Sequence, residues 1–141
     1  MRRVARGFLI VVSILNGLAG LVCGLLFIAA PDGRLLQAGA LLPVIGALPL
    51  ANVFFRDFVW IGVAMLLVLG LPNTVAAVML LRRNKRQYVA TLLTGVLLLL
   101  WCSFEMAFML NGLAVGYFVV GALSVLCSIL LRRPETSLNG S

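Results

Sequence analysis

Long apolar segments separated by short polar stretches limit the folds open to this chain. The clearest is residues 88–110, a run of 23 residues that follows a basic cluster and contains one carboxylate, Glu105. As a helix this segment is about 34 Å long, and the hydrocarbon core of a bilayer is roughly 30 Å thick. Residues 7–30, 58–81 and 113–131 have the same character. The sequence therefore predicts an all-α polytopic membrane protein with four transmembrane helices.

Composition supports the bilayer as the solvent of this chain. Of its 141 residues, 63% are hydrophobic and 11% are charged, which is too apolar for a water-soluble core of this size. The net charge of +7 does not predict nucleic-acid binding, because the basic residues lie at segment ends and not over one face. We expect them to contact the anionic headgroups of a lipid bilayer.

The distribution of basic residues predicts the orientation in the membrane. Of the 11 basic residues, Arg34 and Arg56 fall on one side of the predicted bundle and the other nine fall on the opposite side. Those nine are Arg2, Arg3, Arg6, Arg82, Arg83, Lys85, Arg86, Arg132 and Arg133. Basic residues concentrate in the cytoplasm, so both termini are predicted to be cytoplasmic.

The same pattern defines one domain and a location. Residues 1–133 form the predicted four-helix domain, and the polar residues 134–141 form a disordered cytoplasmic tail. Ten of the 11 basic residues are arginine, which we interpret as a sign of a GC-rich bacterial genome. The predicted location is the bacterial inner (plasma) membrane.

The connection between the first two predicted helices is itself apolar. Residues 34–56 contain Pro43 and Pro49, which would interrupt a spanning helix and leave backbone groups unpaired in lipid. We therefore expect an interfacial or re-entrant element on the outer surface. Phe58 and Trp60 follow it and are expected to contribute to an aromatic belt at the membrane boundary.

Small residues mark where the helices are expected to pack. Gly17, Gly20 and Gly24 lie on overlapping faces of the first helix, and Gly20 and Gly24 form a GxxxG pair. Such a face permits close packing within the bundle or self-association, and it can also form a ligand cleft. In the second helix, Pro72 follows Gly70 and is expected to produce a kink there.

Two asparagines form a candidate polar site inside the membrane. Asn16 lies about 13 Å and Asn73 about 12 Å from the inner ends of their helices, by the helical rise. A hydrogen bond between them would contribute about 0.6 to 2 kcal/mol. The alternative is a polar lining for a solute path around the Pro72 kink, since broken helices near the midplane often form transport sites.

Glu105 is the only charged residue that lies well inside a predicted helix, about 8 Å from the outer end of that helix. A charge there needs a partner or a proton. Arg56 and Asp57 enter the membrane at the same face, so a Glu105–Arg56 salt bridge is one hypothesis. An ion or proton relay, a site for a cationic solute, and a contact with lipid headgroups or a protein partner are the others.

Catalytic and metal-binding patterns are not found in the sequence. The chain has no histidine, and Cys23, Cys102 and Cys127 lie inside apolar segments with no CxxC spacing. No paired carboxylates and no serine or cysteine with a base occur at catalytic spacing. We predict that the protein is not an enzyme and has no metal site and no cofactor.

Several short motifs carry a resemblance to a known group. They are Pro31-Asp32-Gly33, Phe55-Arg56-Asp57-Phe58, Leu81-Arg82-Arg83 and, in the third helix, Trp101 with Glu105. With these motifs the chain resembles a group of uncharacterised bacterial four-helix integral membrane proteins. The resemblance covers most of the chain and implies the four-helix fold, without implying an activity.

Two classes of function follow from these features. The first is a non-catalytic subunit or scaffold that associates by helix packing, as a homo-oligomer or with a larger membrane protein. The second is a minimal oligomeric transporter or channel that uses Glu105 and the Pro72 kink for a proton, an ion or a cationic solute. One acid and two asparagines are sparse provision for a coupled pathway, so we favour the first.

Overall fold

A computed structural model describes residues 1–41, 43, 47, 56–108 and 112–132, and these residues form helices and turns without a strand. The four long helices are α1 (Arg2–Ala29), α2 (Val59–Leu81), α3 (Gln87–Phe108) and α4 (Gly112–Leu131). Each is long and apolar enough to cross a membrane. The regular structure of the described residues is therefore helical throughout, and the four candidate spans suggest a multi-pass membrane protein.

The helices form a ring in which each one packs against its neighbours in the chain. α1 contacts α2, α2 contacts α3, α3 contacts α4, and α4 closes the ring against α1. At one end of the bundle, a side-chain N–H of Arg2 donates to Leu131 O at 3.1 Å, and Arg6 donates to Leu80 O. We call this the basic end, because Arg82, Arg83 and Arg132 also follow the helices that finish here.

The predicted helix boundaries differ most at the start of the chain. α1 begins at Arg2, five residues before the predicted start at residue 7. Arginine is a good helix former, and Arg2 and Arg6 satisfy carbonyl groups at the ends of α4 and α2. The other three helices begin within one residue of their predicted starts, which is the usual uncertainty of a helix end.

Two predictions concern parts of the chain that lie largely outside the described residues. In the connection between α1 and α2, the structure describes short 3-10 turns at Arg34–Leu36 and Gly39–Leu41. The predicted interfacial or re-entrant element over residues 34–56 falls mostly on residues that are not described. The tail at residues 134–141 and the predicted end of the third helix at residue 110 also lie outside them.

Phe58 is buried at the end of the bundle opposite the basic end, and not part of an aromatic belt as predicted. Its ring is 1% exposed and stacks on Phe27 with a centroid distance of 4.7 Å. Its backbone N–H donates to Pro31 O at 3.0 Å. Gly33 makes room for the ring, because a Cβ at this residue would lie 2.8 Å from a Phe58 ring carbon. Trp60, by contrast, is half-exposed.

The interior of the bundle is built mainly from small residues. Small side chains let helices approach closely, which is the main source of packing energy where lipid supplies no hydrophobic drive. The buried residues with small side chains include Ala5, Ser13, Gly17, Gly20, Gly62, Gly70, Ala76, Ala77, Thr91, Thr94, Cys102, Ala114, Gly121, Ser124 and Ser128.

Candidate functional site

The glycine face of α1 packs directly against α2. A Cβ on Gly20 would lie 2.8 Å from the Cα of Gly70, and one on Gly24 would lie 2.8 Å from the carbonyl oxygen of Gly62. A Cβ on Gly17 would lie 3.2 Å from the backbone nitrogen of Thr74. These contacts involve backbone atoms, which cannot rotate out of the way. The predicted packing glycines of α1 thus meet a helix of the same chain.

The predicted kink in α2 coincides with a π-helical turn. The segment Leu66–Gly70 is π-helical, and the N–H of Leu71 donates to Leu66 O, five residues earlier. Pro72 has no N–H to donate, and the wider turn rearranges the hydrogen bonds just before it. This irregular turn packs against α1 through Gly70, whose Cβ would lie 3.1 Å from the backbone nitrogen of Leu21.

The two asparagines are both buried, but no hydrogen bond joins them among the described residues. The side-chain amide of Asn73 donates to Leu69 O at 2.8 Å, within its own helix. The next residue does the same, since the hydroxyl of Thr74 donates to Gly70 O at 2.7 Å. Both carbonyls lie within or next to the π-helical turn, so these side chains stabilise an irregular backbone. Asn16 is buried one helical turn before Gly20, the residue of α1 that packs against Gly70.

Hydroxyl groups of α3 and α4 follow the same local pattern. Thr91 donates to Gln87 O at 3.0 Å and Thr94 to Thr91 O at 2.9 Å. Ser124 donates to Val120 O at 2.8 Å and Ser128 to Ser124 O at 2.7 Å. These buried polar side chains bond to carbonyls of their own helices and so present small, hydrogen-bonded surfaces inside the bundle. Their spacing of three and four residues was a usable signal in the sequence.

Among the described residues, no salt bridge between Glu105 and Arg56 is found. Glu105 is partly buried on α3 and makes interactions of its own, whereas Arg56 is exposed. An ion pair within the described residues joins Arg34 to Asp32 at 3.9 Å. The carboxylate of Asp57 accepts the backbone N–H of Val59, the first residue of α2, at 3.0 Å.

The basic end contains a feature that the sequence analysis missed. A cavity of about 530 Å³ opens between the first turns of α1 and the end of α2. It is lined by Arg3, Arg6, Gly7, Ile10, Leu81 and Arg83. Arg3 and Arg6 are three apart and share a helix face, which was a usable signal. Their proximity to Arg83 could not be read from the sequence, because it depends on how α1 packs against α2.

Metal-binding geometry is not found in the part of the chain that the structure describes. No group of three or more His, Cys, Asp or Glu side chains there could hold an ion. Cys23, Cys102 and Cys127 are free thiols, and Cys102 is buried.

Comparisons with models of known protein families, with curated proteins and with solved structures gave no match. The resemblance to bacterial four-helix membrane proteins therefore stays a prediction from the motifs of the sequence.

Proposed function

We propose that this chain is a non-catalytic membrane subunit or scaffold that associates with a partner by packing of its outward-facing helix surfaces within the bilayer. The observation that carries this proposal is that the small and polar residues inside the bundle make contacts within the chain itself. Where α1 meets α2, the glycines bring the two backbones together. The hydroxyl and amide donors of α2, α3 and α4 described above bond to carbonyls of their own helices.

This arrangement favours a structural role over a transport path. A coupled pathway needs polar groups that are free to exchange partners with a solute. Here the amide of Asn73 and the hydroxyls of Thr74, Ser124 and Ser128 are committed to backbone carbonyls. The proposal therefore assigns recognition of a partner to the outer faces of the bundle.

The outer faces suit association inside a membrane. Each helix exposes leucine side chains, and four examples are between 44% and 58% accessible. One example from each helix, in chain order, is Leu18, Leu71, Leu93 and Leu123. Between helices in lipid, such surfaces associate by shape and van der Waals packing. The partner in this proposal is a larger membrane protein or a second copy of the chain.

We place the protein in the bacterial inner membrane with the basic end in the cytoplasm. The support is the gathering of Arg2, Arg6, Arg83 and Arg132 at one end of the bundle, on the side where α1 begins and α4 finishes. Basic residues are favoured on the cytoplasmic side.

Site-specific photo-crosslinking in native membranes tests the association. A photoreactive residue is placed singly at Leu18, Leu71, Leu93 or Leu123, and in the control at Leu98, which is 3% exposed. We expect a discrete crosslinked product from positions on at least one helix, and no intermolecular product from Leu98. Equal crosslinking from the outward positions and from Leu98, or no product from any of them, contradicts the proposal.

A minimal transporter is the second candidate, and the π-helical turn at Leu66–Gly70 is the observation that favours it. Single π-helical turns recur at functional sites, and Glu105 lies partly buried on α3. The test is potential-driven proton flux into liposomes containing the purified protein. Flux that is lost in Glu105→Gln and kept in Asp57→Asn would establish transport, whereas the same background rate in all three proteins rejects it for protons.

A further inference from the structure

The cavity at the basic end gathers three positive charges from two parts of the chain. Arg3 and Arg6 come from the first turns of α1, and Arg83 follows the end of α2. The cavity lining contains no acidic side chain among the described residues. Like charges around one space repel each other, and an anion between them removes that cost.

Arg6 is held in place and retains an unused donor. One of its terminal N–H groups donates to Leu80 O, which fixes the guanidinium at the end of α2. Its Nε atom is buried and has no hydrogen-bond partner among the described residues. This atom is closed to solvent, so the contribution of Arg6 to the cavity is the positive charge of a guanidinium held at a fixed position.

Arg83 occupies a backbone position that normally belongs to glycine. Its φ is +52°, in the left-handed region. The N–H of Asn84 donates to Met79 O at 3.0 Å, and this hydrogen bond closes a six-residue turn at the end of α2. Helices commonly end in this way with glycine, because other residues are strained there. This turn places Arg83 where its charged side chain lines the cavity.

The remaining lining residues indicate the kind of anion. Ile10 lies one helical turn beyond Arg6, about 6 Å further into the bundle by the helical rise, and Leu81 lies opposite on α2. Gly7 follows Arg6 in the lining of the cavity. The space beside it is open, because a Cβ on Gly7 would meet nothing within 4 Å. The cavity is therefore lined by charged side chains and by apolar ones, which suits a ligand with an anionic head and an apolar body.

We propose that this cavity binds the phosphate group of an anionic phospholipid, with Arg3, Arg6 and Arg83 around the phosphate and the start of an acyl chain against Ile10 and Leu81. Guanidinium groups match the oxygens of a phosphate with paired N–H donors. Basic pockets between membrane helices commonly receive lipid headgroups. The proposal is independent of whether the bundle acts as a subunit or as a transporter.

Lipid binding to the purified full chain tests the proposal, with native mass spectrometry as the readout. The probes are phosphatidylglycerol, zwitterionic phosphatidylcholine and inorganic phosphate, each titrated in the same detergent. We expect one phosphatidylglycerol to bind with at least about tenfold preference over phosphatidylcholine, the effect of one charge-assisted hydrogen bond. Inorganic phosphate at the same concentrations should not displace it.

Two variants and one control separate the pocket from general charge. Arg83→Gly suits the left-handed backbone and should keep or raise the melting temperature in detergent, while it weakens phosphatidylglycerol binding about tenfold. Arg3→Gln should weaken binding in the same way. Arg82→Gln removes the same charge from an exposed neighbour outside the cavity and should bind as the wild type does.

Three results would overturn the proposal. Equal affinity for phosphatidylglycerol and phosphatidylcholine would remove the role of the anionic head. Equal losses in Arg83→Gly and Arg82→Gln would leave only the general charge of the basic end. Displacement of the lipid by inorganic phosphate at equal concentration would assign the site to free phosphate and not to a lipid.

Discussion

Replacing Gly20 by alanine should destabilise the bundle, although alanine is the better helix former. A Cβ at this position would lie 2.8 Å from the Cα of Gly70 and from the carbonyl carbon of Leu69, and ordinary contacts begin at 3.4 Å. The shortfall is therefore at least 0.6 Å (3.4 − 2.8). Both opposing atoms belong to the backbone of α2, so the two helices must separate to admit the methyl group.

The magnitude follows from two opposing effects. Overpacking a closely fitted contact costs about 1 to 3 kcal/mol, and a contact against fixed backbone belongs at the upper end. The higher helix propensity of alanine offsets about 1 kcal/mol of this cost. We expect a net loss of about 2 kcal/mol in the free energy of unfolding.

Gly116→Ala is the matched control, because it makes the same chemical change in a helix where a Cβ would meet nothing within 4 Å. It should leave stability unchanged or raise it by up to about 1 kcal/mol. The assay is unfolding in mixed micelles with increasing sodium dodecyl sulfate, followed by tryptophan fluorescence. If Gly20→Ala is as stable as the wild type, the close approach of α1 and α2 at this residue is wrong.

Other predictions rest on burial. Phe58→Ala should lower the free energy of unfolding by about 3 to 5 kcal/mol, because Phe58 is 1% exposed. The control Leu67→Ala, at a position that is 58% exposed, should lower it far less in the same assay. Equal losses in the two variants would contradict the packing of Phe58. In single-cysteine variants, a membrane-permeant maleimide should label Cys23 and Cys127 before Cys102, which is 1% exposed. If mass spectrometry shows that Cys102 is labelled as fast as Cys23 and Cys127, the burial of Cys102 inside the bundle is wrong.

The main features of the fold could be predicted because they depend on local chemistry. Hydrophobic length identified the four helices, and the arrangement of Gly20 and Gly24 indicated a packing face. Which helix fills that face is a matter of tertiary packing, and only the structure identifies Gly70 as the opposing residue.

The candidate polar sites were harder to predict, because side chains in a helix have local alternatives. The sequence allowed a hydrogen bond between Asn73 and Asn16 or a polar lining for a solute path, but the amide of Asn73 donates to the carbonyl four residues earlier in its own helix. Arg83 reaches the cavity at the basic end through the left-handed turn that follows α2. Such a turn is usually predicted from a glycine, and this chain has arginine at that position, so the turn could not be predicted.

The mass and protein composition of the complex isolated in native lipid test the proposed role most directly. The experiment extracts the tagged full chain into lipid nanodiscs without detergent exchange, followed by native mass spectrometry and identification of every retained protein. The subunit or scaffold proposal predicts a fixed stoichiometry with a second membrane protein, or a defined oligomer that is inactive in proton-flux assays. A monomer without companions, or a homo-oligomer whose proton flux depends on Glu105, would contradict it.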